Sequence, residues 1–373
     1  MKPVIIIAAI ASRAYVQAAT NAGFKVIAID AFADFDTQKS AFSVYQCVIK
    51  DGQFDAEDFL TQLHKIDLSH SLGGFLGLCF GAGFEAQPAL LMQISKHLPI
   101  IGNTAQTVEL CKNPQAFFAF CDAHTMPHPD TQFERPTTTL SWLEKRIGGS
   151  GGMHIKPLLP LDYSLKSQKD LQLYYQKAQA GTPISCLFLA DGKYAQVIGF
   201  NEQWCSATPL LPYRFGGVVS CAELSDAVKT TITHFIETCV AEIGLKGLNS
   251  IDFLLHKEQL FALEINPRLS ASLDCYRAQK GDLFAAHVAT CLGNLQEWPD
   301  NWPIVEKQAR AQQIVYANKL AQVPPDMDWP DWVCDIPQAN TQIAAGEPLC
   351  TIVATARTAK LAKQKVLQRL ADL

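Results

Sequence analysis

Hydrophobic positions along the first hundred residues come in alternating blocks. An apolar run, Val4 to Ile10, is followed by a helical stretch from Ala14 to Ala22 that Gly23 stops, and then by a second strand, KVIAID. The run GGFLGLCF, a helix from Glu85 to His97 and the short strand PIIG continue the alternation, which predicts a parallel sheet with helices on both faces. Leu110 to Cys121 reads as one further helix, and Pro127, Pro129 and Pro136 mark a connection. Residues 141 to 268 read as strands broken by one helix from about Ser225 to Ile243, and a helix near Gly281 to Leu292 closes that block. The tail from about 305 carries short strands, AQQIVYANK and PLCTIVATA, then a final helix from Ala359.

The sharpest pattern lies in Leu248 to Arg268, LNSIDFLLHKEQLFALEINPR. Ile251, Phe253 and Leu255 alternate with Ser250, Asp252 and Leu254, and beyond the polar break Phe261, Leu263 and Ile265 alternate with Ala262, Glu264 and Asn266. A hairpin symmetric about Glu258 sets Asp252 across from Glu264 and Ser250 across from Asn266, with Cβ atoms about 5 Å apart. Facing carboxylates repel unless one keeps its proton or a cation lies between them. Asn266 adds a neutral oxygen suited to a hard ion such as Mg²⁺, and Arg268, after the strand-ending Pro267, offers a charged fork for an anion. On the pairing alone, an amphipathic hairpin with a solvated acidic side fits as well.

Composition narrows the partners. A net charge of −5, from 31 basic and 36 acidic residues, gives no global field for nucleic acid or acidic membrane and leaves small molecules as the expected partners. The 12 cysteines are scattered singly, which suits a reduced cytoplasmic protein, and the apolar run at Val4 is too short to span a membrane. Gly81, Gly83 and Ala86 form a GxGxxA turn, but the first strand-helix turn, AAIASRAY, lacks the glycines of a dinucleotide fingerprint, so a structural turn is the better reading. Asp30 reads either as a ribose acid or as a capping residue. His154, His256 and His287 have no ligand spacing that would suggest zinc.

An acid, a strand turn and Glu-x-Asn-Pro-Arg at a twelve-residue offset resemble the metal-binding strand pair of the ATP-grasp superfamily. The resemblance implies an α/β ATP-grasp fold: an N-terminal parallel-sheet domain over residues 1–105, a two-lobed nucleotide-binding region over 106–300 and a small β-rich C-terminal cap over 301–373. It implies ATP with Mg²⁺, or Mn²⁺ in its place, held by Asp252, Glu264 and Asn266. In WLEKRIGGSGGMH, Lys145 matches the family's strand lysine and Gly148, Gly149, Ser150, Gly151 and Gly152 its phosphate-covering loop, expected to be mobile because small residues pack little. Lys112, expected to open a helix, would be the second nucleotide lysine, and Tyr175 and Gln176 fall where the family contacts adenine, with Gln176 replacing a commoner acid. Arg268 and Lys145 would carry the catalysis, and Ser270, Ser272 and Asp274 would lie near substrate. Such enzymes mostly join a carboxylate and an amine through an acyl phosphate; bicarbonate-dependent carboxylation and a non-catalytic nucleotide-binding regulator are the alternatives. EINPRLSAS and GGSGG look most like tyramine–glutamate ligases of methanofuran-type cofactor synthesis, with a homodimer as one assembly this allows.

Overall fold

The computed structural model describes residues 2–68, 73–160, 172–276, 280–294 and 307–373. The N-terminal strands form a parallel sheet in the order Ser43–Gln46, Lys25–Asp30, Val4–Ala9, Phe75–Phe80, extended by a parallel bridge between Leu78 and Ile100. Val4 to Ala9 is buried throughout, as expected of a strand covered by helices on both faces. Asp30 binds the backbone N–H groups of Ser12, Phe32 and Ala33, so it ties down the first strand-helix turn. These are turn contacts and not a helix cap, since the N-caps of the two neighbouring helices are Ser12 and Asp34.

The helix expected over Leu110 to Cys121 is two helices, Ala105–Lys112 and Pro114–Ala123. Asn113 is pushed into extended backbone by the following proline, and its side chain accepts from the N–H groups of Gln115 and Ala116. Lys112 therefore ends a helix rather than opening one. A small antiparallel sheet follows in the order Thr131–Gln132, Leu173–Lys177, Trp142–Arg146, Lys156–Pro157. Residues 178–181 then lead into an eight-stranded antiparallel sheet ordered Gln259–Asn266, Lys246–His256, Thr182–Asp191, Ala195–Cys205, Phe215–Ser220, Ala309–Tyr316, Pro348–Ala356, Val333–Cys334. The last three strands continue this sheet directly.

The large sheet is covered on both faces. Helix Asp226–Ile243, capped by Ser225 and stopped by Gly244 at φ 74°, packs on Ile184, Cys186, Phe188 and Phe253. On the other face Leu187, Leu189 and Leu248 pack with helix Lys280–Cys291 and with Ile5, Ile7 and Val16 of the N-terminal domain. That second face carries Asp252. His287 fastens the junction, since its Nδ1 accepts from Leu248 N at 2.9 Å and its Nε2 lies 3.1 Å from the Ile101 carbonyl. The described residues contain no helix long and apolar enough to cross a membrane and no disulfide.

Candidate functional site

The acidic hairpin has the expected pairing and an unexpected route to it. Asp252 lies opposite Glu264 and Ser250 opposite Asn266. The turn, however, centres between Lys257 and Glu258, both at positive φ (46° and 67°), and a register shift next to Asp252 leaves Leu263 as an extra residue. The shift swaps the faces of the second strand between its two ends. Leu260 and Ala262, with Ile265, enter the core, whereas the expected core residues Phe261 and Leu263 do not. Leu263 borders the pocket beside Glu264 instead.

The charge that lets the carboxylates face each other comes from the chain. Lys112 Nζ donates to Glu264 Oε2 at 2.8 Å and to Asn266 Oδ1 at 2.7 Å. Asn266 Nδ2 donates to Asp252 Oδ2 at 2.8 Å, and Gln203 Nε2 to Asp252 Oδ1 at 3.3 Å. Burial raises the Asp252 carboxyl well above the usual carboxylate range, and the Glu264 charge adds to the rise. Burial would raise Glu264 too, but Lys112, His154 and Lys145 outweigh it and hold Glu264 below its ordinary value. The pair thus divides into one strong and one weak acid. Two carboxylates and an amide oxygen on one face suit a hard cation, which would displace the Lys112 ammonium from Glu264 and Asn266.

Arg268 is aimed by Glu85, in the turn after strand Phe75–Phe80. Its Nε donates to Glu85 Oε1 at 2.7 Å, while Glu85 Oε2 accepts from Gly83 N and Phe84 N at 2.7 and 3.0 Å. Glu85 was not among the residues singled out from the sequence; an acid closing the GAGFE turn was the available signal. The turn itself is structural, for a Cβ on Gly81 would come within 2.8 Å of Ala9 and Tyr15.

Lys145 donates to Gln176 Oε1 at 2.7 Å, and Gln176 Nε2 to Thr131 Oγ1 at 3.0 Å, which occupies the Gln176 amide. Burial lowers the Lys145 ammonium to about 8, against a smaller upward pull from Glu264. Tyr175 packs with Trp142 and Leu158 on one side of its strand; Tyr174, on the other side, borders the pocket with Lys112 and Glu264. The strand alternation that made Tyr175 and Tyr174 opposites was visible, but not which one faced inward.

The glycine segment makes close contacts at both ends. Gly148 lies against Ala86, Gly152 against the Tyr213 carbonyl, and Phe215 N donates to Gly151 O at 2.9 Å. Ser150 lies between these anchors in sequence. Of the residues placed near substrate, Ser270 and Ser272 bond each other at 3.0 Å across a short 3₁₀ turn. Asp274 is paired with Arg13 at 2.8 Å, and Arg13 with Asp335 at 2.6 Å. Arg13 thus ties Asp274 and Asp335 to the first helix, Arg13–Asn21.

A family model described as an ATP-grasp domain matches residues 111–272, the stretch that contains Lys112, Lys145, the glycine segment and the acidic hairpin. Among solved structures, the biotin carboxylase domain of 2-oxoglutarate carboxylase from Hydrogenobacter thermophilus, a dimer with MgADP, ADP and bicarbonate, is 13% identical at a TM-score of 0.73, covering 98% of this chain and 88% of that one. L-amino acid ligase from Bacillus licheniformis is 14% identical at 0.69, covering 100% and 97%. N5-carboxyaminoimidazole synthetase from Staphylococcus aureus, complexed with ADP, is 14% identical at 0.68, covering 99% and 98%. No curated protein sequence matches. The chain has the mixed α/β ATP-grasp fold, parallel at its N-terminus and antiparallel beyond.

Proposed function

We propose that this protein is an ATP-dependent carbon–nitrogen ligase that joins a carboxylate to an amine through an acyl phosphate and releases ADP and phosphate. The observation that carries the reading is the convergence of Lys112, Asp252, Glu264, Asn266 and Arg268 within one hydrogen-bonded network, with Gly148 and Gly149 lining the pocket at Glu264 and Lys145 in electrostatic reach of it. Phosphoryl transfer asks a protein mainly for positioning and charge stabilisation, and this network supplies both.

Asp252, Glu264 and Asn266 would hold Mg²⁺, or Mn²⁺ in its place, which when bound neutralises charge on the outer phosphates. Lys112 and Lys145 would bind and orient the phosphates, and Gly148 to Gly152 would cover them with backbone N–H groups and exclude water that hydrolyses an acyl phosphate. Tyr175 and Gln176 would contact adenine from their strand, Leu173–Lys177. Arg268, held by Glu85, would stabilise charge on the transferred phosphoryl group. The boundaries near residues 105 and 300, cytoplasmic residence and homodimer assembly belong to the same proposal.

Glutamate and tyramine are the first substrates to test, on the likeness of EINPRLSAS and GGSGG to tyramine–glutamate ligases of methanofuran-type cofactor synthesis. The L-amino acid ligase, matched over 97% of its length, supports amide formation. The carboxylase domain with bound bicarbonate supports a second reading, carboxylation, which bicarbonate dependence would distinguish. ADP release measured across paired carboxylates and amines, with and without bicarbonate, tests the proposal. Amine-dependent ADP release supports it, and ADP release that needs bicarbonate but no amine contradicts it.

A further inference from the structure

Asn103, only 3% exposed, directly precedes Thr104, the cap of helix Ala105–Lys112, and reaches both strands of the acidic hairpin at their open end. Its Nδ2 lies 2.7 Å from Asn249 Oδ1, 3.1 Å from the Pro267 carbonyl and 3.2 Å from the Lys246 carbonyl, and its Oδ1 accepts from Lys246 N at 2.9 Å. A backbone N–H can only donate, so the Lys246 contact fixes which way the amide points. Lys246 and Asn249 belong to the first hairpin strand, and Pro267 directly follows the second.

The second of these contacts bears on the site. Arg268 N donates to Asn266 O at 2.9 Å, so Asn266, Pro267 and Arg268 form one tight turn that carries an amide of the metal set and the phosphate-directed arginine. Proline has no N–H, so its carbonyl is the one polar backbone group by which the middle of this turn can be held. The helix that begins beside Asn103 ends at Lys112, whose Nζ bonds Glu264 and Asn266. Its 8 residues make a strut about 12 Å long, fastened to the hairpin at both ends.

Resting on the metal and nucleotide reading above, we infer that Asn103 is a positioning residue of this site: through the Pro267 carbonyl it sets how Asn266 presents its amide oxygen to the metal and how Arg268 leaves the hairpin. It acts through Pro267 and not on the metal, since its own amide is engaged by the chain on both sides. Asn249 supplies the contrast. Its Nδ2 donates to Gly247 O at 2.7 Å and Lys246 O at 3.3 Å, so it braces the first strand and leaves Pro267 to Asn103.

The gain in ATP affinity on adding Mg²⁺ tests this, measured by calorimetry with Mg²⁺ and with a chelator on the full-length wild type, Asn103→Ala and Asn249→Ala. Thermal melting of each unliganded protein is the folding control. Both variants should melt lower, because each removes buried hydrogen bonds. Only N103A frees Pro267, so its Mg²⁺ gain should fall about tenfold or more, whereas N249A stays within about threefold of wild type. Asn103→Ser, whose hydroxyl is too short to reach Pro267, carries the same comparison if N103A does not fold. An unchanged Mg²⁺ gain beside a lower melting temperature in N103A leaves Asn103 a structural role only and overturns the inference while nucleotide binding stands. An equal fall in N249A overturns it too. Wild-type protein whose ATP binding gains nothing from Mg²⁺ overturns the metal reading and the inference with it.

Discussion

Lys112 and Glu264, 152 residues apart in sequence, meet at 2.8 Å in a pair whose lysine is almost fully buried and whose glutamate is 38% exposed. The exposure of Glu264 decides how its loss should read. Glu264→Gln should cost about 1 kcal/mol of stability or less, because solvent screens the pair. It should reduce ATP-dependent turnover on the order of 10²-fold or more, since that carboxylate belongs to the charge-stabilising set. Melting and ADP-release assays on the same preparation separate the two effects; unchanged turnover would remove Glu264 from the site.

Glu85 makes the opposite case. Its pair with Arg268 is buried on both sides, 2% and 12% exposed, so Glu85→Gln leaves an arginine uncompensated. A stability loss of about 3–5 kcal/mol is expected, with turnover falling as Arg268 loses its orientation. Denaturant unfolding measures the first; a loss under about 1 kcal/mol would show that the pair does not fasten the Gly83–Glu85 turn to the hairpin.

Lys145 gives a pH signature. Its folded value of about 8 lies below the ordinary 10.5, so between those limits the unfolded chain holds a proton that the folded chain has released. Stability from this group therefore rises with pH across that window, and below about pH 8 the buried charge opposes folding. Lys145→Met should melt higher than wild type at pH 7. Bound phosphates favour the charged lysine, so ATP binding at pH 9 should take up a proton in wild type and not in the variant. Calorimetry in buffers of different ionisation enthalpy detects that proton; equal uptake in both would assign it elsewhere.

The glycines differ in what surrounds them. Gly151 and Gly152 both hold positive φ, 65° and 70°, which an alanine tolerates at a cost of about 1–2 kcal/mol. Space around Gly151 is open, whereas a Cβ on Gly152 would come within 1.9 Å of the Tyr213 carbonyl. Gly152→Ala should displace the loop and weaken ATP binding, and Gly151→Ala should show only the backbone cost. Identical melting and binding in the two variants would mean that the Tyr213 contact does not fix the loop.

The sequence carried the local logic of this site better than its long-range logic. The pairing of Asp252 with Glu264 followed from a hairpin taken as symmetric about Glu258, and it holds because the extra residue at Leu263 offsets a turn centred between Lys257 and Glu258. The same reasoning put Phe261 and Leu263 in the core, since an extra residue at Leu263 reverses the alternation without leaving a signature in composition. The helix break at Asn113-Pro114 was legible from the proline rule and was passed over for the apolar run around it. Glu85 reaching Arg268 depends on tertiary packing between segments 183 positions apart, which no spacing rule encodes. The contacts of the glycine segment likewise depend on Ala86 and Tyr213, distant in sequence and unremarkable in type.

The claim that the network drives carboxylate activation is tested most directly by isotope transfer. Protein, Mg·ATP, amine and a carboxylate labelled in its oxygens are incubated, and the products are separated by mass. Attack of the carboxylate on the γ-phosphorus places one labelled oxygen in the released phosphate when the amine captures the acyl group, so labelled phosphate and unlabelled ADP are the predicted result. Label in AMP would mean adenylation at the α-phosphorus, and unlabelled phosphate beside a finished amide would contradict an acyl phosphate.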